Sequence, residues 1–501
     1  MSVERALRGT PTRLAFRALC AAVARTGADL AAVERRLAGW PDDVREAPYS
    51  WVAGLESGFT KTVWPLVRSV DLHTGQHGMR RLAVPDPRVR AEVRGVTRVK
   101  LSWYAMEQVA ALPEIAEHWE ALRAVEFRGL MKFDGRALTR FVAGEAFQWL
   151  ESLVADASLP IDRPTALRHI GMRAPGVVRL LRNGFVPELR SAEVHVATVE
   201  EARELADCPL AELDLALRFD CDATEFFSRA DLGNLTSLKV RGGVPDVDLP
   251  ALEHLDLSGE ISGSPHYYSP VAHPIGDVRA LARLPRLKSL NLAATGLADL
   301  DEVMALPLES LDVSGNPLGG LPDGPAWQTL RGVRADDCAI GELDWLPDAP
   351  ELDGISLAHN DIDSDGVRKL ARWSVTPQLW ELNLHDNVIG DDGLVEFARS
   401  GAAENLLELD LAQDAWTAGR RRYRTPLPAE VLEAFPNLDA VFTGVVDGYH
   451  GTRPATGLLA SERPAVVAFL KHVKPYEFDE AEERDPDPPA EDFRDRRRGR
   501  P

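Results

Sequence analysis

Cysteine is scarce in this chain. Only four occur among 501 residues, far apart and without a CxxC pair: Cys20, Cys208, Cys221 and Cys338. That spacing excludes a disulfide framework and a zinc site of regular spacing. We interpret the four residues as small buried apolar side chains of a protein in a reducing compartment, and we therefore predict a cytoplasmic location.

The sequence also lacks a long apolar run. No stretch approaches the roughly 20 apolar residues that are needed to cross a bilayer. Segment 14–24 is apolar, but Arg17 interrupts it and no clear cleavage site follows. Phe16, Leu19 and Val23 fall on one face of a helical projection, which favours an amphipathic helix over a signal peptide. We expect no membrane association.

Positive charge is in short supply. The chain has 57 Lys and Arg against 78 Asp and Glu, a formal net charge of −21. Such a surface repels phosphate backbones and anionic lipids. The charge balance therefore argues against a nucleic-acid-binding protein.

Sequence motifs of the common enzyme classes are missing. The chain has no GxxxxGK loop, GxSxG elbow, HExxH helix or dinucleotide fingerprint. His266 and His273 lie close in sequence, but no third metal ligand is near them. We therefore expect no metal, no cofactor and no enzymatic activity.

One acidic segment resembles the start of a calcium loop. Residues 361–366 (DIDSDG) have the spacing of an EF-hand, but its twelfth position is Arg372 where a bidentate Glu is required. We interpret Asp365 and its counterpart Asp392 as caps of the helices that follow them.

What the chain does contain is a repeat. Residues 352–372 (LDGISLAHNDIDSDGVRKLAR) align with 379–399 (LWELNLHDNVIGDDGLVEFAR), 27 positions later. The first part of each unit, LxxLxLxxN, alternates with period 2, which predicts a short strand. The last part has apolar residues at i, i+3 and i+4, which predicts a helix behind it. The Asn amide can bond the backbone of the bend where the strand ends.

The LxxLxL phrase recurs along most of the chain. Clear copies begin at Leu210, Leu235, Leu252, Leu287, Leu308, Leu330 and Leu406, and weaker ones at Val67, Val96, Leu122, Leu167, Leu189 and Leu438. We predict about fourteen units in all, and so many repeats indicate a single solenoid in place of several globular domains.

This unit resembles the leucine-rich repeat, and the resemblance covers roughly residues 60–445. The 27-residue units are similar to the ribonuclease-inhibitor type and the shorter ones to the compact bacterial type. The resemblance implies an α/β solenoid: a curved horseshoe with a parallel concave sheet, helices or short turns on the convex side, and helical caps. It also implies a non-enzymatic scaffold or adaptor for protein–protein interaction. The alternative is a dedicated inhibitor or activator of a single enzyme.

Four segments follow from this organisation. We predict an N-terminal helical cap over 1–60, the solenoid over 61–445 and a C-terminal cap over 446–473. Residues 474–501 are rich in charge and proline with little to bury, and we predict that they are disordered.

The concave face is the predicted binding surface, because the residues between the inward leucines point away from the core. The central positions of the strands are Asp71, Lys100, Glu126, Glu193, Asp214, Lys239, Asp256, Asn291, Asp312, Arg334, Ser356, Asn383 and Asp410. We expect partner contacts at Asp256, Asp312, Arg334, Asn383, His385 and Asp410. This acidic surface predicts a protein partner of basic or mixed charge. The alternative is that they are ordinary solvated strand residues.

Two insertions interrupt the units. Residues 259–277 carry Tyr267 and Tyr268, and residues 413–428 carry Arg421 and Arg422. Insertions in a solenoid project from one face, so these four side chains are further candidate contacts. The alternative is that both are surface loops without a special role. The oligomeric state is not predicted.

Overall fold

The computed structural model describes most of the repeats. It covers residues 3–7, 11–47, 51, 58–71, 95–102, 121–128, 142–155, 160–210, 213–240, 245–262, 269–271, 275, 278–411, 413–414, 440–442, 445–447 and 451–452. The predicted tail 474–501 and most of the predicted cap 446–473 lie outside these residues.

Short helices open the chain. They are α1 (Val3–Ala6), α2 (Arg13–Thr26), α3 (Leu30–Leu37) and α4 (Gly58–Val63). The Thr12 side chain accepts a hydrogen bond from the backbone of α2, and the Asp29 side chain accepts one from the backbone of α3. Phe16, Leu19 and Val23 are fully buried on one face of α2, which confirms the amphipathic pattern.

Seventeen strands within the described residues form one parallel sheet. They are β1 (Glu46–Ala47), β2 (Ser69–Asp71), β3 (Arg98–Ser102), β4 (Ala124–Arg128), β5 (Ser152–Ala155), β6 (His169–Arg173), β7 (Ser191–Val196), β8 (Asp214–Phe219), β9 (Leu235–Lys239), β10 (His254–Asp256), β11 (Ser289–Asn291), β12 (Ser310–Asp312), β13 (Gly332–Arg334), β14 (Gly354–Ser356), β15 (Glu381–Asn383), β16 (Glu408–Asp410) and β17 (Ala440–Phe442). Each strand pairs with the next along the chain, and in the described residues β1 and β17 have one neighbour each. The sheet is therefore open, in chain order.

The core lies behind the sheet. The apolar residue at the centre of each strand pairs in register with its counterparts, and each is at most 4% exposed: Leu255, Leu290, Leu311, Val333, Ile355, Leu382 and Leu409. Burying such a side chain contributes about 1.5–3 kcal/mol, so this column is a principal source of stability.

Helices and single turns cover the other side of the core. The helices are α5 (Ala174–Arg182), α6 (Val199–Ala206), α7 (Thr224–Phe227), α8 (Asp301–Met304), α9 (Ser364–Arg372) and α10 (Asp391–Arg399). Turns of 3-10 helix occupy Trp64–Leu66, Glu145–Trp149, Val278–Arg283, Pro325–Gln328 and Thr376–Gln378. The 27-residue units hold the nine-residue helices α9 and α10, each more than two helical turns long.

Capping of α9 differs from the prediction. The N-cap is Asp363, whose carboxylate accepts hydrogen bonds from the backbone N–H groups of Asp365 and Gly366. Asp365 instead lies in the first turn and pairs with Arg368. Gly390 precedes α10, and Asp392 accepts a hydrogen bond from the Ser364 hydroxyl. The assignment of Asp365 and Asp392 as caps was therefore wrong.

Buried asparagines join consecutive units. The Asn360 side chain accepts hydrogen bonds from the N–H groups of Cys338 and Ile340, and it donates to the carbonyls of Ala335 and Ala358. Asn316 and Asn387 make equivalent bonds to their own preceding units. The amide therefore holds the bend of the preceding unit as well as its own.

Two small sheets lie outside the main one. Glu260–Ser262 pairs antiparallel with Ser269–Val271, and Val445–Asp447 pairs with Gln413–Asp414 and Gly451–Thr452.

Among the described residues, none of the helices has both the length and the apolar character that crossing a membrane demands.

Candidate functional site: the concave face

The strands of the C-terminal half align the predicted contact residues in one row. Register pairs link Asp256, Asn291, Asp312, Arg334, Ser356, Asn383 and Asp410 in that order. They alternate with the buried leucine column, so they belong to the face of the sheet away from the core. Six of them are half-buried or exposed there, and Ser356 is only 4% exposed. We call this set the concave row.

Several members of the concave row also shape the backbone. In Asp256, Asn291, Asp312 and Asn383 a side-chain oxygen accepts the N–H of the residue two positions later, at 2.9–3.0 Å. This is the local bond that Asp and Asn favour where a strand gives way to a turn. Each such Asp still has a second carboxylate oxygen for other contacts.

Cations on this face are mostly paired. Lys239 Nζ lies 2.6 Å from Asp256 Oδ2. Arg331 lies just before the row, and its guanidinium contacts Asp353 at 2.5 Å. Arg334 is more open, with 57% of its side chain exposed and its Nε 3.8 Å from Asp336.

Asp312 is the least compensated carboxylate of the row. It makes no ion pair within the described part of the chain, while Asp256 has Lys239. Burial raises the pKa of Asp312, and the hydrogen bonds from Ser314 and the charge of Arg334 offset only part of that effect. A desolvated carboxylate of this kind gains most from a cation that approaches from outside.

A shallow depression of about 260 Å³ lies beside Asp312, over strands β12 to β15. Its lining residues include Ser310, Asp312, Arg331, Gly332, Arg334, Gly354, Ser356 and Glu381. Gly332 and Gly354 are register partners, so at this one position two adjacent strands carry no side chain. The prediction considered only the central position of each strand and therefore missed the depression. Both glycines stand at the third position of LxxL.

At the C-terminal end, histidines and aspartates gather. His385 Nδ1 lies 3.4 Å from Asp410 Oδ1, and its ring centre is 5.0 Å from that of His359. His359 Nδ1 lies 3.4 Å from Asp386 Oδ2. The structure thus brings His385 and Asp410 together as neighbours, and it adds His359, which belongs to the turn and which strand positions alone do not reveal.

The N-terminal half of the face differs from the expectation. Lys100 and Glu126, expected as open concave residues, are only 1% and 3% exposed. Lys100 Nζ lies 2.5 Å from Glu46, and Glu126 lies 3.0 Å from Arg98. A hydrogen bond from His169 lowers the pKa of neighbouring Glu193. The charges of Lys100 and Glu126 are thus neutralised by buried partners, whereas Glu193 remains 55% exposed.

The rows of the two halves are also offset. Glu193 aligns through Ala216 and Ser237 with His254, two residues before Asp256. The register shifts between Leu215 and Ala216, where β8 meets β9. The central positions of the first strands and of the last strands are therefore not one continuous row.

Tyr267, Tyr268, Arg421 and Arg422 lie outside the described residues, as do His266 and His273. Within the described ranges, no three His, Cys, Asp or Glu residues are grouped as metal ligands.

Solved structures with a similar arrangement include two Listeria monocytogenes internalins. An internalin F structure is 16% identical, covers 70% of this chain and 91% of its own, and has a TM-score of 0.35. An internalin C2 structure is 20% identical, covers 42% and 82%, and has a TM-score of 0.28. The Toll–Spatzle complex of Drosophila is 14% identical, covers 73% and 43%, and has a TM-score of 0.29. No curated protein matches the chain.

The family comparison points to the same units as the geometry. The family model described as a leucine-rich repeat matches residues 355–371 and 379–398, which cover most of β14 and α9 and of β15 and α10. The strand, the asparagine-bonded bend and the returning helix recur in both. Repeat geometry and family model together identify these two units as leucine-rich repeats.

Proposed function

We propose that this chain is a non-enzymatic scaffold or adaptor that binds a partner protein on the concave face. The observation that carries the proposal is the concave row, in which one outward residue from each of seven successive strands lies in register. A stiff, repeated surface of this kind suits a broad partner better than a small substrate. The contact residues that we propose are Asp256, Asp312, Arg334, Asn383, His385 and Asp410.

The charge of the row suggests the chemistry of the partner. Three aspartates face one exposed arginine in the row, on a chain whose net charge is −21. We infer a partner of basic or mixed charge, an association rate that falls with added salt, and no role in nucleic-acid binding.

The test is a pull-down from a lysate of the source organism, at low and at moderate salt. The native chain is compared with a triple variant, Asp256→Asn, Asp312→Asn and Asp410→Asn, which keeps the side-chain oxygens that end the strands. The matched control, Asp323→Asn, Asp348→Asn and Glu351→Gln, changes three exposed acids outside the strands and removes the same charge.

A partner held by the native chain and the control, lost from the concave variant and weakened by salt supports the proposal. The same partners on all three baits would overturn the concave face as the binding site. A single target at fixed one-to-one stoichiometry would favour the dedicated inhibitor or activator over the adaptor.

We also propose the division into a cap over 1–60, a solenoid over 61–445, a cap over 446–473 and a tail over 474–501. Limited proteolysis tests it, with early cleavage expected after residue 473.

A cytoplasmic location is proposed from the cysteine pattern, and cell fractionation tests it. Recovery of the chain outside the cytoplasm would contradict that location.

A further inference from the structure

The depression over Gly332 and Gly354 has a definite cause and size. A Cβ built on Gly332 meets no atom within 4 Å, so the space above this strand is open. Its volume of about 260 Å³ falls below the 300 Å³ or so at which small-molecule pockets begin. The space is therefore suited to one projecting side chain and not to a metabolite.

Charges around the depression are unbalanced. Arg331 is held by Asp353 and contributes little positive field. Arg334 has Asp336 beside it, and the buried Asp336 carboxylate also accepts hydrogen bonds from the Ser356 hydroxyl and the Ala358 N–H. The carboxylates of Asp312, Asp336 and Asp353 outnumber the two guanidinium groups, those of Arg331 and Arg334. Negative potential prevails in the space.

We propose that the Gly332 depression is an anchor site for a basic side chain, arginine or lysine, of the partner protein, with the Asp312 carboxylate as its acceptor. This inference rests on the proposed function and deepens it, since it names the group that the concave face recognises first. Asp312 is suited to the role for two reasons. One of its oxygens accepts the Ser314 N–H, which leaves the second oxygen for the partner, and no cation of the described chain forms an ion pair with it. The opposite assignment is an acidic side chain of the partner, bound by Arg334. Such a side chain would have to enter beside the carboxylates of Asp312 and Glu381.

The experiment uses the full chain and four fluorescein-labelled peptides, Gly-Ser-Gly-X-Gly-Ser-Gly, where X is arginine, lysine, citrulline or glutamate. Binding is titrated by fluorescence anisotropy at low salt and neutral pH. Citrulline has the shape of arginine without its charge, so it isolates the ionic contact. We expect arginine and lysine to bind about tenfold more tightly than citrulline or glutamate, as for a hydrogen bond to a charged group.

Three variants locate the effect. Gly332→Val fills the depression without a clash at Cβ and suits a strand, so the preference for arginine should disappear. Asp312→Asn removes the charge but keeps the bond to Ser314, and it should reduce the preference about tenfold. Ser289→Val adds the same side chain two strands away and should leave binding unchanged. A cooperative melting transition at or above the native temperature confirms that all three variants fold.

Tighter binding of the glutamate peptide, equal binding by Gly332→Val, or no binding of the arginine peptide at millimolar concentration would each overturn the inference. The pull-down separates this failure from that of the proposed function. A partner lost from the triple Asn variant but kept by Gly332→Val leaves the concave face as the binding site and removes the anchor. If the peptide titration shows the arginine preference but the pull-down finds no partner that depends on the concave row, the anchor site stands and the scaffold proposal is removed.

Discussion

At the scale of single residues, Asp312 links stability to recognition. Its folded-state pKa is raised by burial, so the ionised form is less stable in the folded chain than in the unfolded one. The contribution of Asp312 to the stability of the folded protein is therefore lost as the pH rises through its raised pKa. A side chain that is unfavourable for folding, and that lies beside an open depression, is a candidate for a binding role.

Replacing Asp312 by Asn should stabilise the protein at neutral pH, because the amide keeps the acceptor for Ser314 and removes the desolvated charge. The melting temperature should exceed that of the native chain at pH 7. The difference should vanish at acidic pH, where Asp312 is protonated in both states. Asp256→Asn is the control: it removes the ion pair with Lys239 and should give no gain. A lower melting temperature for Asp312→Asn at pH 7 would contradict this account.

Left-handed backbone is a second feature at residue scale. The residue before the bend asparagine has φ of 72° at Gly315, 54° at His359 and 51° at Asp386. Only glycine takes this conformation without strain. Gly315→Ala should lower the free energy of unfolding by about 1–2 kcal/mol in urea denaturation. Gly332→Ala, with ordinary backbone and open space at Cβ, should be neutral or stabilising; equal losses would refute the explanation.

At the scale of elements, the bend between strand and helix depends on one buried amide. Asn360 satisfies four backbone groups of two units, and Asn360→Ala would leave them without partners. We expect a loss of about 3 kcal/mol or more in the free energy of unfolding. Cys338 occupies the same place in the preceding unit, where its thiol donates to the carbonyls of Val313 and Asp336, and burial raises its pKa to about 12. Because a thiol is a weak donor, Cys338→Ala should have a smaller effect, and the reverse order would contradict this role.

Helix α9 gives a matched pair of cap variants. Asp363→Ala removes the acceptor of two backbone N–H groups and should reduce stability by about 1 kcal/mol. Asp365→Ala removes only an exposed contact with Arg368 and should have a smaller effect. Chemical denaturation of both variants checks the assignment. A larger effect at Asp365 would restore the original prediction that it is the cap.

The sequence predicted which residues of each unit face inward, because alternation of Leu with polar residues has the period of a strand. It could not predict the offset at β8, since LxxLxL sets the orientation within a strand and not the alignment between strands. Burial of Lys100 was missed because its partner Glu46 lies two strands away, and the pattern within one strand does not show which residues of other strands lie beside it. The two glycines of the depression carried a signal, because they recur at the same position 22 residues apart.

At the scale of the whole molecule, the large negative net charge sets the response of stability to salt. The net charge is −21 and the pI about 5.1, so at neutral pH the folded chain repels itself. Adding sodium chloride from about 10 to 150 mM shortens the screening length to about 8 Å, and the melting temperature should rise at pH 7. The rise should vanish near pH 5, where the net charge is small. A melting temperature that falls with salt at pH 7 would indicate that the ion pairs outweigh the repulsion.

The chain-order pairing of the sheet also bears on how such a protein can change in length. Each strand of the sheet meets only the strands before and after it, so a complete unit can be copied or deleted without rearranging any distant contact. The 27-residue duplication at 352–372 and 379–399 has the form of such a copying event, with the bend asparagine, the strand and the helix all retained. A gene of this kind can lengthen or shorten its product by whole units, and the reach of the concave surface changes with it.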